Sequence, residues 1–293
     1  MQRIFSFLFA LLSLTSSLMS QDLNLKLMRT YGIWQQSMLK KDFRAWDAIM
    51  ASERKREIRN RIYSEKKAYP SAVFEAPVVP PSLKQLKLLQ ADAEGDYAKA
   101  VFFGKVDFGV GGAPTDNLLV VKYQNQADYW RFLGAEYVNL SVLPEVRSEI
   151  LAGDYQYLDH AEYRAEVYQP KNTIKLDVPV AMIAKVYAYC PGREVKASVN
   201  RVSNHLFQNT QEAEVVIGGA RAGLNELKFS TKALPGAEGG EPFCVRVYLF
   251  SQVQGVKPIK VAEYLVQEGG TVAPAKTIQY TVTNAMMDQL VGK

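Results

Sequence analysis

The residues best suited to metal or acid–base chemistry are few and widely spaced in this sequence. Its two histidines, His160 and His205, lie far apart, whereas a zinc site needs a clustered ligand set. The chain has no glycine-rich phosphate loop, no nucleophile elbow and no Cys-x-x-Cys pair. A serine hydrolase using either histidine stays open, because the fold assembles such triads from distant residues. We favour a protein with no catalytic residues, no metal and no cofactor.

One carboxylate, Glu136, is nevertheless a candidate for catalysis. Counting along its strand puts Glu136 on the same face as Trp130, Phe132 and Gly134, where an acid among aromatic residues is unexpected. Burial there would raise its pKa into the range of a general acid or base. The favoured alternative is that Glu136 lies in water past the rim of the sheet.

Four aromatic residues of the N-terminal half are candidates for lining a ligand cavity, because such cavities are mostly apolar with few polar groups. They are Trp34, Trp46, Tyr123 and Trp130. The favoured alternative is that these residues form core, as aromatic residues at helical spacing usually do. Together with Glu136 they are the candidate site for a small hydrophobic ligand.

The first twenty residues have the pattern of a cleavable signal peptide. Arg3 is followed by an apolar stretch over residues 4–12 and by small residues up to Ser20. We expect cleavage near Ser20 and a secreted or periplasmic, cell-envelope location. The apolar stretch is shorter than the roughly 20 residues that cross a bilayer, so no integral membrane segment is expected in the mature chain.

Cys190 and Cys244 are the only cysteines, and an even count in an exported chain predicts one intramolecular disulfide. Cys190 closes a strand before the Pro191–Gly192 turn, whereas Cys244 opens a strand. The two ends meet if these strands run antiparallel. The alternative is a reactive thiol pair.

The spacing of apolar residues predicts the elements that position these groups. A repeat of three and four predicts a core-facing helix, with Leu23, Leu27, Tyr31, Trp34 and Met38 on its stripe. Asp42 is the expected N-cap of a second helix. After a proline-rich segment the period becomes two, which predicts a long strand over Tyr97–Phe108 and an antiparallel meander up to Val138.

This order resembles the nuclear-transport-factor-2-like family in its SnoaL-like branch. The matching residues are the helical stretch Trp34–Met50, the turn at residues 95–98 and the segment Tyr129–Phe132, within a coverage of about 23–140. Ala127–Asp128 departs from the family, where a glycine commonly precedes the tryptophan. The resemblance implies helices filling the mouth of a cone-like sheet and, in some members, isomerisation or cyclisation of small hydrophobic substrates.

Beyond a polar, tyrosine-rich passage, alternating residues predict seven short strands from Ile174 to Thr283, in a layout that resembles an immunoglobulin-like β-sandwich. The predicted fold class is therefore α+β, with N-terminal helices packed on a curved, cone-like antiparallel sheet, followed by a C-terminal all-β sandwich. The predicted parts are a signal peptide (1–20), the α+β domain (21–147), a linker (148–172), the sandwich (173–283) and a C-terminal tail (284–293).

These features favour an exported, non-catalytic binding or surface-assembly protein. The formal net charge of +5 is modest, so we expect a slight preference for anionic surfaces and no nucleic-acid binding. The expected partner is a protein or glycan surface, or a small hydrophobic ligand. One alternative is a small-molecule-binding or isomerase-like enzyme acting in the N-terminal cavity. Another is an accessory subunit of an envelope or fibre assembly, for which an exposed apolar patch would be a sign.

Overall fold

The computed structural model describes residues 2–75, 79–107, 114–160, 163–164, 176, 180–237 and 239–292, without the side chains of residues 2–20. The chain divides into two compact units. Unit 1 comprises Met1–Lys55 and Phe74–Gln169, and unit 2 comprises Arg56–Val73 and Pro170–Lys293. The segment Arg56–Val73, which the sequence analysis assigned to the N-terminal domain, thus belongs to the C-terminal unit.

Three helices open the chain: α1 (Gln2–Lys40), α2 (Phe43–Ile49) and α3 (Ser52–Ser64). Leu27 and Tyr31 of the predicted core-facing stripe are buried. Asp42 is the N-cap of α2, since its Oδ1 accepts a hydrogen bond from the Ala45 N–H at 3.0 Å.

Unit 1 contains one antiparallel sheet, whose strands lie in chain order. The strands are β1 (Lys87–Glu94), β2 (Tyr97–Val106), β3 (Thr115–Gln126) and β4 (Tyr129–Asn139). One face packs against α1, which contacts β1 and β4. The other face is covered by α4 (Pro144–Ala152) and by the 3-10 turn Gln156–Asp159, from which Ile150 and Leu158 enter a core with Val101 and Val120.

The predicted α+β fold class is wrong. The described residues are mostly β, in three antiparallel sheets of four strands, and none of these sheets is closed. The cone-like picture fails because the four-stranded sheet of unit 1 is open, and both of its faces are covered. Ile150, Leu158 and Tyr163, from the segment assigned to a linker, form the second covering layer.

Unit 2 contains the other two sheets, ordered β11-β10-β5-β8 and β12-β9-β6-β7. Apolar residues of both sheets share a single core, in which Val186, Phe207, Phe229 and Val247 are almost completely buried. The strands and the last helix are β5 (Ile183–Tyr189), β6 (Arg193–Val199), β7 (Ser203–Gln208), β8 (Gln211–Val215), β9 (Gly223–Ala233), β10 (Phe243–Phe250), β11 (Ile259–Val266), β12 (Ala275–Val282) and α5 (Asn284–Leu290).

A search of the helices in the described part of the chain finds none with the length and apolar character needed to cross a membrane.

Candidate functional site

Three of the aromatic residues expected to line a cavity, Trp34, Tyr123 and Trp130, lie on the side of the unit 1 sheet that α1 covers, and the fourth, Trp46, is buried in α2. Trp46 and Tyr123 are 1% and 0% exposed. Trp34 stacks on Phe132 with the ring centroids 4.0 Å apart. Trp130 is partly buried, and its carbonyl oxygen accepts a hydrogen bond from Thr30 Oγ1 at 3.0 Å. These contacts are those of a core, the alternative favoured from the sequence.

Glu136 lies on the opposite face of the sheet from Phe132, contrary to the count along the strand. An irregularity in the pairing of β3 with β4 places Phe132 opposite Tyr123 but Gly134 opposite Lys122. Leu133 is thus an extra residue, and a bulge of this kind exchanges the faces for every residue that follows. Glu136 is exposed, and its Oε1 lies 3.0 Å from Lys122 Nζ. It is an ion-pair partner outside the aromatic cluster.

The same bulge places Tyr137 on the side of the sheet that α1 covers. Simple alternation along β4 would place it on the other side. Burial raises the pKa of Tyr31, Tyr123 and Tyr137, and the three phenols stay neutral at pH 7. The Tyr31 hydroxyl donates to the carbonyl oxygen of Pro81 at 2.9 Å. The Tyr123 hydroxyl has no hydrogen-bond partner in the described part of the chain.

The two cysteines are not joined, which corrects the predicted disulfide. Side chains alternate between the two faces of a strand. Cys190 follows β5 on its inner face and belongs to the core between the sheets, whereas Cys244 lies between the core residues Phe243 and Val245 and so faces away from that core. The strands are antiparallel neighbours, but the thiols lie on opposite faces of their sheet. Burial raises the pKa of both thiols.

The arrangement closest to a catalytic site is a hydrogen-bonded chain of Ser203, His205 and Glu214 in unit 2. Ser203 Oγ lies 2.7 Å from His205 Nε2, and His205 Nδ1 lies 2.6 Å from Glu214 Oε2. The network fits a neutral imidazole that donates from Nδ1 and accepts the serine proton at Nε2. The same order of groups activates the nucleophile of serine hydrolases.

Burial prevents Ser203 from acting as a nucleophile in this hydrogen-bonded chain. Ser203 is 0% exposed, and its Oγ already accepts a hydrogen bond from the Ile217 N–H at 2.8 Å. A nucleophile must reach the carbonyl carbon of its substrate, and no substrate reaches an atom enclosed in this way. The three residues join β7, β8 and the segment after β8, so their role is structural.

An open pocket of about 590 Å³ lies between β1 and the C-terminal end of α4. Gln90 Nε2 donates to Asp159 Oδ1 at 3.1 Å, and Asp154 Oδ1 accepts the Gln156 N–H at 3.0 Å. These polar groups of the wall therefore bond to one another, whereas the buried Gln90 Oε1 has no hydrogen-bond partner among the described residues. The pocket is lined by Leu89, Gln90, Ala152, Gly153, Asp154, Tyr155, Gln156 and Asp159.

The strongest candidate for a binding surface is the side of α1 that faces away from the sheet. We call it the outer face of α1 and define it as Leu25, Met28, Arg29, Gly32, Ile33, Gln36, Leu39 and Lys40. Leu25 is 69% exposed and Leu39 48%. A groove of about 450 Å³ runs beside them, from Arg29 to Ala45 at the start of α2. Only the buried stripe of α1 was predicted from the sequence, and this second stripe was overlooked.

The described residues contain no group of three or more His, Cys, Asp or Glu side chains that could hold a metal ion. Comparisons with protein-family models, with curated proteins and with solved structures find no match to this chain. The family resemblances stated from the sequence therefore stay predictions.

Proposed function

We propose that this chain is an exported, non-catalytic surface-binding protein that attaches to its partner through the outer face of α1. The observation that carries the proposal is the exposed apolar stripe of Leu25, Met28 and Leu39, which lies beside Arg29 and Lys40, two basic residues without an ion pair among the described residues. Exposed apolar residues that line up along one helix, with charged neighbours, are typical of interaction surfaces.

The arrangement of the other candidates supports a non-catalytic role. Ser203 is enclosed, so the hydrogen-bonded chain that it forms with His205 lacks access to substrate. Glu136 is an exposed partner of Lys122 and lies away from the aromatic cluster. The isomerase-like alternative loses its main support, because Trp46 and Tyr123 are core residues. The accessory-subunit alternative gains support, since it expected an exposed apolar patch.

Fractionation of cells that produce the protein tests this function. We expect the wild-type chain in the envelope-associated fraction and a Leu25→Gln/Leu39→Gln variant in the free exported fraction. The matched control is Leu224→Gln, which removes an equally exposed leucine, 65% exposed, from unit 2. A wild-type chain found free, or a double variant that fractionates as the wild type does, would contradict the proposal.

A further inference from the structure

We infer that the partner of this face is an anionic lipid surface, an inference that rests on the proposed function and names its partner. Two properties of the outer face of α1 lead to this: its apolar stripe and its excess of positive charge.

The apolar stripe follows one side of the helix. Leu25, Met28, Gly32 and Leu39 are separated by intervals of three, four and seven, which keeps them in line on an α-helix. Leu25, Met28 and Leu39 are 69%, 40% and 48% exposed. At 1.5 Å per residue the stripe is about 21 Å long, enough for a helix that lies flat in the headgroup layer.

Positive charge accompanies this stripe in excess of the nearby acids. Arg29, Lys40, Lys41 and Arg44 form no ion pair in the described part of the chain. Among the nearby carboxylates, Asp22 pairs with Lys26 at 2.5 Å, and Asp42 caps α2 while keeping its negative charge. Asp47 pairs with Lys55 at 3.1 Å. The face therefore has the charge that an anionic headgroup layer complements.

The exposed leucines and basic residues of this face suit an anionic lipid surface. Leu25 is 69% exposed and Leu39 48%. Exposed leucines insert between headgroups, with the flanking Arg29 and Lys40 near the phosphates, as in other helices that lie at a membrane interface. Binding to a protein would instead require a partner with a matching apolar furrow.

Flotation with vesicles tests the lipid inference. The probes are phosphatidylcholine vesicles with and without phosphatidylglycerol, mixed with the exported chain whose N-terminus has been read by intact mass. We expect binding to the anionic vesicles only, and binding that weakens as salt rises. Each lost basic residue should weaken binding about fivefold, as each Lys or Arg near an anionic surface does.

Two pairs of variants separate the apolar and the charged contributions. Leu25→Gln/Leu39→Gln should weaken binding at least about tenfold, and Arg29→Gln/Lys40→Gln should weaken it by about twentyfivefold. The controls are Leu224→Gln and Lys228→Gln, exposed residues of β9 in unit 2, which should bind as the wild type does.

Equal binding to neutral and anionic vesicles, or no binding to either, would overturn the lipid inference. So would a self-association in sedimentation velocity that the same outer-face variants abolish, because the occupant would then be a second copy of this chain. If vesicle binding fails while the outer-face variants still leave the envelope fraction, the lipid inference falls and the proposed function stands. If the outer-face variants change neither vesicle binding nor fractionation, both the lipid inference and the proposed function are wrong.

Discussion

Lys122 Nζ lies 3.0 Å from Glu136 Oε1, although the lysine side chain is only 3% exposed and the carboxylate is 47% exposed. A buried ammonium group costs free energy unless a negative charge or acceptors compensate for it. The pair therefore explains why an acid follows the aromatic end of β4: it offsets the charge of a lysine that the sheet has buried.

Removing the acid of this pair should cost more than removing the buried base. We expect Glu136→Gln to lower the free energy of unfolding by about 1–3 kcal/mol, because the buried charge loses its counter-ion. Lys122→Met should cost less, since it removes the charge and keeps most of the buried volume. Urea unfolding of both variants measures the order. Glu212→Gln, an exposed carboxylate on β8, is the control, and a larger loss for Lys122→Met would contradict this explanation.

Removing the hydroxyl group should affect the free energy of unfolding differently at Tyr31 and at Tyr123, the two buried tyrosines of the aromatic cluster. Tyr31→Phe removes a hydrogen bond to Pro81 and should lower the free energy of unfolding by about 1 kcal/mol. Tyr123→Phe removes a buried hydroxyl that has no partner among the described residues, so stability should stay the same or rise. Thermal and urea unfolding compare them directly. A clear destabilisation by Tyr123→Phe would show that its hydroxyl has a partner.

Ser203→Ala should destabilise unit 2 without changing any activity. The substitution leaves the buried Ile217 N–H and His205 Nε2 each without a bond, at a cost of about 1–3 kcal/mol. Ser230→Ala, at an exposed serine of β9, is the control and should be neutral. Hydrolysis of a p-nitrophenyl ester provides the second readout. Turnover by the wild type that Ser203→Ala abolishes would refute the structural role.

Both cysteines should be free thiols, and both should react slowly in the native protein. The thiolate is the reactive form, and burial raises the pKa of Cys190 and Cys244. Titration with a disulfide reagent should be slow before denaturation and should find both thiols afterwards without a reductant. If denatured, unreduced protein purified from its own compartment contained no free thiols, the disulfide prediction would be right and this expectation wrong.

Glu263 should stabilise unit 2 at neutral pH and lose this effect in acid. Hydrogen bonds from Lys260 and from Arg246, each at 2.6 Å, hold the pKa of Glu263 below its usual value. Because the pKa is lower in the folded than in the unfolded chain, the contribution is complete above the unfolded value and disappears as pH falls through the folded one. Glu263→Gln should cost about 1 kcal/mol or less at pH 7 and nothing below the folded pKa. Glu268→Gln, at an exposed acid without these partners, is the control.

The sequence contains the buried stripe of α1 and the meander of unit 1, because helical and strand periods are local signals. It contains no comparable signal for the bulge at Leu133, and that one extra residue misplaces Glu136 and Tyr137. Strand β7 was overlooked because Ser203 and His205 occupy inward positions that apolar residues usually take, although Phe207 continues the alternation.

The face of each cysteine, by contrast, follows from the sequence alone. Val186, Ala188 and Cys190 are two residues apart and therefore share one face of their strand, whereas Cys244 lies between the apolar residues Phe243 and Val245. This parity already puts the two thiols on opposite faces once their strands are neighbours. The disulfide prediction relied on the compartment, on the cysteine count and on the antiparallel meeting of the two strand ends, and it left out the alternation that decides the geometry.

The chain crosses from unit to unit three times, after Lys55, Val73 and Gln169. The partners of the segment Arg56–Val73 come much later in the chain. Ser64 Oγ accepts a hydrogen bond from the Gly218 N–H, and the Lys66 carbonyl oxygen accepts one from Gln252 Nε2. A chain made from its N-terminus therefore produces α3 long before these partners. Arg56–Val73 therefore lacks these hydrogen-bond partners until the C-terminal part of the chain has been made. No single cut separates this protein into its two units, and a fragment ending between them carries a segment that belongs to the missing half.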